Sequence, residues 1–146
     1  MRPLVGDIFN HLVHLAIAYL FALPIGWDRE RYSRSAGLRT FPLVAVASCG
    51  FVLTAISVLG STSHGQARIL EGVITGIGFI GGGSILKKGN AVSGTATAAS
   101  LWTIGAIGAS VGYGQYDIGF VLACITFFTL RFLTPLKTAG SEAPHE

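Results

Sequence analysis

The strongest constraint on this chain is a pair of gaps: no Asp, Glu, Lys or Arg occurs from Thr40 to Ala67, nor from Gly89 to Tyr116, 28 residues each time. About 20 apolar residues suffice to cross a bilayer as a helix, so either gap is long enough. A core helix of a soluble protein would need a polar face, and these stretches offer little beyond Ser, Thr, Gly and Gln. Charged residues make up 12% of the chain and apolar ones 51%, against about 25% charged in an average soluble domain. The chain therefore reads as an all-α, polytopic membrane protein. Backbone groups in lipid must be satisfied within each segment, which favours helices. A small barrel would show alternating segments of about 10 residues, whereas these runs are longer and apolar on every face.

Five spans are expected, near residues 8–27, 40–59, 68–86, 95–112 and 118–133, within a membrane domain covering 1–135 and followed by a short tail, 136–146. Asp7 interrupts the start and no small-residue cleavage site follows, so the first apolar run is expected to be a permanent span rather than a signal peptide. The fifth span has only 13 residues between Asp117 and Arg131, so Arg131 is expected to snorkel. Lys and Arg keep to the cytoplasmic side. Eight of the ten (Arg29, Arg31, Arg34, Arg39, Lys87, Lys88, Arg131 and Lys137) fall on one set of loops, leaving Arg2 and Arg68 on the other. That bias places the amino terminus outside and the carboxyl terminus in the cytoplasm. A shift of 57 residues superposes Gly26 on Gly83, Gly37 on Gly94 and Thr40 on Thr97, a faint sign that spans one and two repeat as three and four, as in some transporters.

Two familiar motifs are decoys. Gly76-Ile77-Gly78-Phe79-Ile80-Gly81 matches the dinucleotide fingerprint, but the acid that should follow about 20 residues on is missing; the next one is Asp117. The Gly83–Lys88 stretch lacks the Gly-Lys-Ser/Thr of a P-loop. No catalytic triad or metal-hydrolase spacing occurs, so neither an enzyme, a cofactor site nor a metal site is expected, and nothing points to nucleic acid. Cys49 and Cys124 sit in apolar runs as small hydrophobes. The glycines suit helix packing instead: Gly72 and Gly76, Gly78 and Gly82, and Gly108 and Gly112 are spaced small-xxx-small, which lets backbones approach closely. Alternatively, the run from Gly81 to Gly83 unwinds the third span to line a cavity. Trp102, near mid-span, is expected to fill a gap between helices.

Charged residues form two candidate functional clusters. On the inner side Asp28 and Glu30 stand among Arg29, Arg31 and Arg39. Anchoring and anionic lipid explain the arginines but not the acids, which suggest salt bridges to Lys87 and Lys88 or a face for a protein partner. On the outer side His11, His14, Arg68 and Glu71 lie at similar depth. Ionisable groups inside a membrane are functional candidates; the plainer reading is an Arg68–Glu71 pair one turn apart.

Four stretches then carry a resemblance: Gly26-Trp27-Asp28-Arg29-Glu30-Arg31, Ala36-Gly37-Leu38-Arg39-Thr40, Thr75-Gly76-Ile77-Gly78-Phe79-Ile80-Gly81 and Thr97-Ala98-Ala99-Ser100-Leu101-Trp102. In this order they resemble the MgtC/SapB family of bacterial inner-membrane proteins, whose membrane domain is drawn with five spans. Asp28 stands where that family usually has Glu, and Thr95-Ala96 where it usually has Leu-Thr. Many members continue into a cytosolic ACT-like domain, which these 146 residues do not include. The resemblance implies adaptation to low magnesium, a part in virulence, and contact with the proton-translocating ATP synthase. Some members carry an ATPase label, but the chain has no phosphorylatable Asp motif and no nucleotide-binding domain. The expectation is a regulator acting through membrane-protein contacts or self-association within the bilayer; the alternative is a small proton or magnesium transporter or channel subunit.

Overall fold

The structure is a computed structural model that describes residues 4–31, 36–89 and 91–133. Arg2, Arg34, Lys137 and the expected tail lie outside the described residues. Among the described residues five α-helices follow one another: α1 (Leu4–Arg31), α2 (Thr40–Leu59), α3 (Gly65–Gly83), α4 (Thr95–Gly112) and α5 (Tyr116–Phe128), the last continuing as a π-helical turn, Thr129–Leu133. Between α3 and α4 stands an antiparallel hairpin of β1 (Leu86–Lys88) and β2 (Ala91–Ser93), paired Leu86 with Ser93, Lys87 with Val92 and Lys88 with Ala91.

That hairpin corrects the expected third span, which stops at Gly83 rather than Leu86. Three successive glycines are poor helix formers. Ser84 then closes the last turn, its backbone N–H donating to the Gly81 carbonyl at 3.0 Å and its hydroxyl to the same oxygen at 2.7 Å. Two residues separate the strands, and Gly89 takes a φ of +57°, as tight hairpin turns demand. Gly81 to Gly83 thus end the helix; they do not unwind it midway. The first span is longer than expected, and the third begins earlier, at Gly65.

Among the described residues three helices are both long and apolar enough to cross a membrane: Gly6–Arg31, Thr40–Leu59 and Tyr116–Leu133. At 19 and 18 residues α3 and α4 reach about 28 Å, close to the bilayer core of about 30 Å, but Gly, Thr, Ser and Ala dilute their hydropathy. For α4 the position explains the composition. It lies against all four other helices and is largely buried from Leu101 to Gly112, so most of that stretch meets protein rather than lipid.

The centre of the bundle is the α2–α4 contact. A Cβ on Gly108 would collide with the Ala45 carbonyl oxygen, and one on Gly112 would lie 2.7 Å from Val52 Cβ. Around this seam Ala18, Ala22, Ile25, Phe41, Cys49, Ile104, Ile107 and Val111 have no exposed surface. α1 and α5 cover one side, and α3 lies against α2 and α4. Cys49 and Cys124 are both free thiols.

The 57-residue echo has a counterpart in the backbone. Phe41 N–H donates to the Gly37 carbonyl and Ala98 N–H to the Gly94 carbonyl. The same bond, at positions 57 apart, therefore opens α2 and α4. Gly94 holds a φ of +87°, and a Cβ there would run into the Ser84 carbonyl.

Candidate functional site

At one end of the bundle the Gly26–Thr40 stretches build a compact junction. Gly26 lets the next loop cross α1: a Cβ there would lie 3.2 Å from the Gly37 carbonyl oxygen and 3.3 Å from Leu38 Cα. One turn on, Glu30 Oε2 accepts the Leu38 backbone N–H at 3.1 Å. That N–H precedes α2, so the carboxylate sits where the helix dipole favours negative charge. Asp28 and Arg29 are 4% and 1% exposed and pair with each other, Arg29 Nη2 to Asp28 Oδ2 at 3.1 Å. The acids among the arginines are thus used inside the junction. The expected salt bridges from this loop to Lys87 are not formed among the described residues, while Arg31, Arg39 and Lys87 are exposed.

The opposite end separates what the sequence grouped. His14 turns towards α5: its Nε2 is 2.9 Å from the Tyr116 hydroxyl, and its Nδ1 is 2.9 Å from the Asn10 carbonyl. With Nδ1 carrying the proton to that carbonyl, Nε2 accepts from the tyrosine. His11 lines a shallow cleft between α1 and α2, beside Gly50 and Thr54. Arg68 and Glu71 are both exposed on α3, and no salt bridge joins them among the described residues. Glu71 therefore neither pairs with Arg68 nor faces the interior near His14. The four are not brought together, because α1 and α3 lie on different faces of the α2–α4 seam.

The glycines divide likewise. Gly81 contacts α4, its Cβ position 3.1 Å from the Ala98 carbonyl oxygen, and Gly108 and Gly112 form the seam with α2. Gly72, Gly76, Gly78 and Gly82 have open space where a Cβ would stand, which corrects the expectation that they pack against other helices of the chain. Gly105, which sequence reasoning missed, receives the Ile77 side chain; it lies three residues before Gly108, one turn up the same face.

Trp102 does not fill an internal gap. It is 57% exposed beside a cleft of about 370 Å³ between α3 and α4, with Ile74, Ile77, Gly105 and Ala106 along its walls. Thr97 is buried, and its carbonyl accepts the Ser100 hydroxyl at 2.9 Å. A larger groove, about 730 Å³, runs between α2 and α3 from Arg39 to Arg68, with Gly72 and Gly76 on its floor. Gln66 also escaped notice. It is 8% exposed, donates to the Gly60 carbonyl at 2.8 Å and accepts the Tyr113 hydroxyl at 3.2 Å, tying the α2–α3 turn to the end of α4. Its place in a charge-free stretch was the available signal, since a buried amide needs partners.

Comparison with known proteins gives a consistent result. The family model described as MgtC family matches residues 15–139. Protein SrpB of Synechococcus elongatus is 38% identical over 144 residues, covering 90% of this chain and 78% of its own. YhiD of Escherichia coli, named as a candidate magnesium transporter, is 32% identical over 82% of this chain and 59% of its own. Protein MgtC of Salmonella typhimurium is 37% identical over 75% of this chain and 46% of its own. The chain thus spans only about half the length of the latter two. No solved structure matches it.

Proposed function

The chain belongs to the MgtC family, and from that footing we propose that it is a non-enzymatic regulator of the bacterial inner membrane, acting by contact with other membrane proteins in magnesium limitation or virulence adaptation. In this reading the Arg29–Arg39 end and the hairpin face the cytoplasm and the His14–Tyr116 end faces outward, following the Lys/Arg bias.

The observation that carries the reading is Trp102. It stands midway along α4, 57% exposed, and among the described residues its indole N–H has no hydrogen-bond partner. Tryptophan in a membrane settles at the headgroup level or where its N–H finds a partner. A half-exposed ring at mid-helix is best served by a helix of another protein laid into the α3–α4 cleft. The apolar seam at the bundle centre supports the same reading, because binding energy is available on the outer faces rather than along a polar interior path. The proton-translocating ATP synthase and a second copy of the chain are the partners we propose.

The name carried by YhiD favours a second reading, a small transporter or channel subunit for magnesium or protons. Magnesium prefers several oxygen ligands, carboxylates among them, and protons suit His14 and Glu71 better. One experiment separates the two. A photo-crosslinking residue at position 102 should yield a discrete adduct with another membrane protein in cells, and purified protein in liposomes should pass no more magnesium or protons than empty liposomes. Flux above that background, with no adduct, would replace the regulator by the transporter.

A further inference from the structure

The α2–α3 groove carries a feature that partner contact through α4 does not use. Its walls are apolar, from Leu43, Val44 and Phe51 on α2 and Ile69, Ile77 and Ile80 on α3. From Thr40 to Phe51 it extends about 17 Å along α2. One leaflet of a bilayer core about 30 Å thick is about 15 Å deep, so the α2 wall covers the depth that an acyl chain entering from the Arg39 end would reach. Its floor is open to an occupant, since a Cβ at Gly72 or at Gly76 would meet nothing within 4 Å.

Charge distinguishes the two ends. Arg39 closes one end and Arg68 the other, both exposed and neither in a salt bridge among the described residues. Arg68 has the Glu71 carboxylate one turn away on its own helix, which opposes an anion. At the Arg39 end the nearby carboxylates are already engaged, Glu30 by the Leu38 N–H and Asp28 by Arg29. Arg31 and Lys87 are further exposed cations at that end of the bundle. An apolar groove whose α2 wall covers one leaflet, ending in a guanidinium that forms no salt bridge among the described residues, is complementary to a lipid with an anionic headgroup, as basic pockets between membrane helices are.

We propose that the α2–α3 groove is a binding site for an anionic phospholipid, its phosphate on Arg39 and one acyl chain lying over Gly72 and Gly76. The occupant is a lipid rather than free phosphate, because the apolar groove contributes nothing to a small anion. The proposal is independent of the regulator reading.

The test is native mass spectrometry of the purified full chain, released from detergent with equal amounts of phosphatidylglycerol and phosphatidylcholine. Near a basic residue the anionic lipid is favoured about fivefold. The wild type should show that preference, Arg39→Gln should bring the two lipids to about equal retention, and Arg68→Gln should leave the preference intact. Gly76→Phe, or Gly72→Leu where the first does not purify folded, should lower retention of both lipids. An undiminished preference in Arg39→Gln, or its loss in Arg68→Gln instead, would overturn the assignment. So would full lipid retention in the groove-filling variants; if those variants also lose a cross-linkable dimer, the groove belongs to a second copy.

Discussion

Replacing Gly108 by alanine should destabilise the bundle, whereas the same change at Gly76 should not. Both glycines lie in small-xxx-small pairs, and both substitutions gain the helix propensity of alanine over glycine, about 1 kcal/mol. That common gain cancels when the two variants are compared, leaving only what the new methyl meets. At Gly76 it meets nothing within 4 Å. At Gly108 it collides with the Ala45 carbonyl oxygen and lies 2.9 Å from Ser48 Cβ. A backbone oxygen cannot rotate away as a side chain can, so α2 and α4 must separate by roughly 1–1.5 Å to restore contacts of about 3.5 Å. Overpacking of this kind costs about 1–3 kcal/mol, some fivefold to 150-fold in the unfolding equilibrium. Gly105 gives an intermediate case, since its methyl would meet the end of the Ile77 side chain, which has rotamers to yield into. Reversible unfolding in mixed mild and denaturing detergent reads the series directly. If Gly108→Ala is as stable as Gly76→Ala, the α2–α4 seam is not the tight contact described, and the reasoning fails.

Three further outcomes follow from the geometry. Glu30→Ala removes a carboxylate that holds the Leu38 N–H, a bond to a charged group worth about 1.5–3 kcal/mol; amide exchange should speed at Leu38 and leave the middle of α2 unchanged. Gln66→Leu breaks the link from Gly60 to Tyr113 and should cost about 1–2 kcal/mol, with a double-mutant cycle against Tyr113→Phe showing a coupling above roughly 0.5 kcal/mol. On a background without Cys49 and Cys124, Ser63→Cys should react with an impermeant thiol reagent in intact cells and Ser93→Cys should not; the reverse pattern would invert the proposed orientation.

Helices α2 and α4 occupy Thr40–Leu59 and Thr95–Gly112, the ranges expected for spans two and four, because charge-free runs bounded by polar loops are a local signal. The hairpin after Gly83 was not legible: Ile85 and Leu86 continue the apolar run, and only the three glycines and Ser84 hinted at a stop. The junction was half legible. Acids among arginines marked it as unusual, but salt bridges to Lys87 and Lys88 or a face for a protein partner were the expected causes, whereas Glu30 holds the start of α2 and Asp28 is buried against Arg29.

By itself the sequence determined that this is a helical membrane protein, where α2 and α4 begin and end, which loops gather the cations, and which family it resembles. Those properties are sums over neighbouring residues, and neighbours in sequence are all they require. The tertiary structure alone decided direction around each helix axis. Gly72 and Gly76 have the same spacing as Gly108 and Gly112, yet the first pair faces an open groove and the second meets α2. His14 and Glu71 were expected at a similar depth, yet one reaches Tyr116 and the other is exposed on α3. The spacing of residues states which ones share a helix face but not what that face meets, and the answer rests on contacts between segments far apart in the chain.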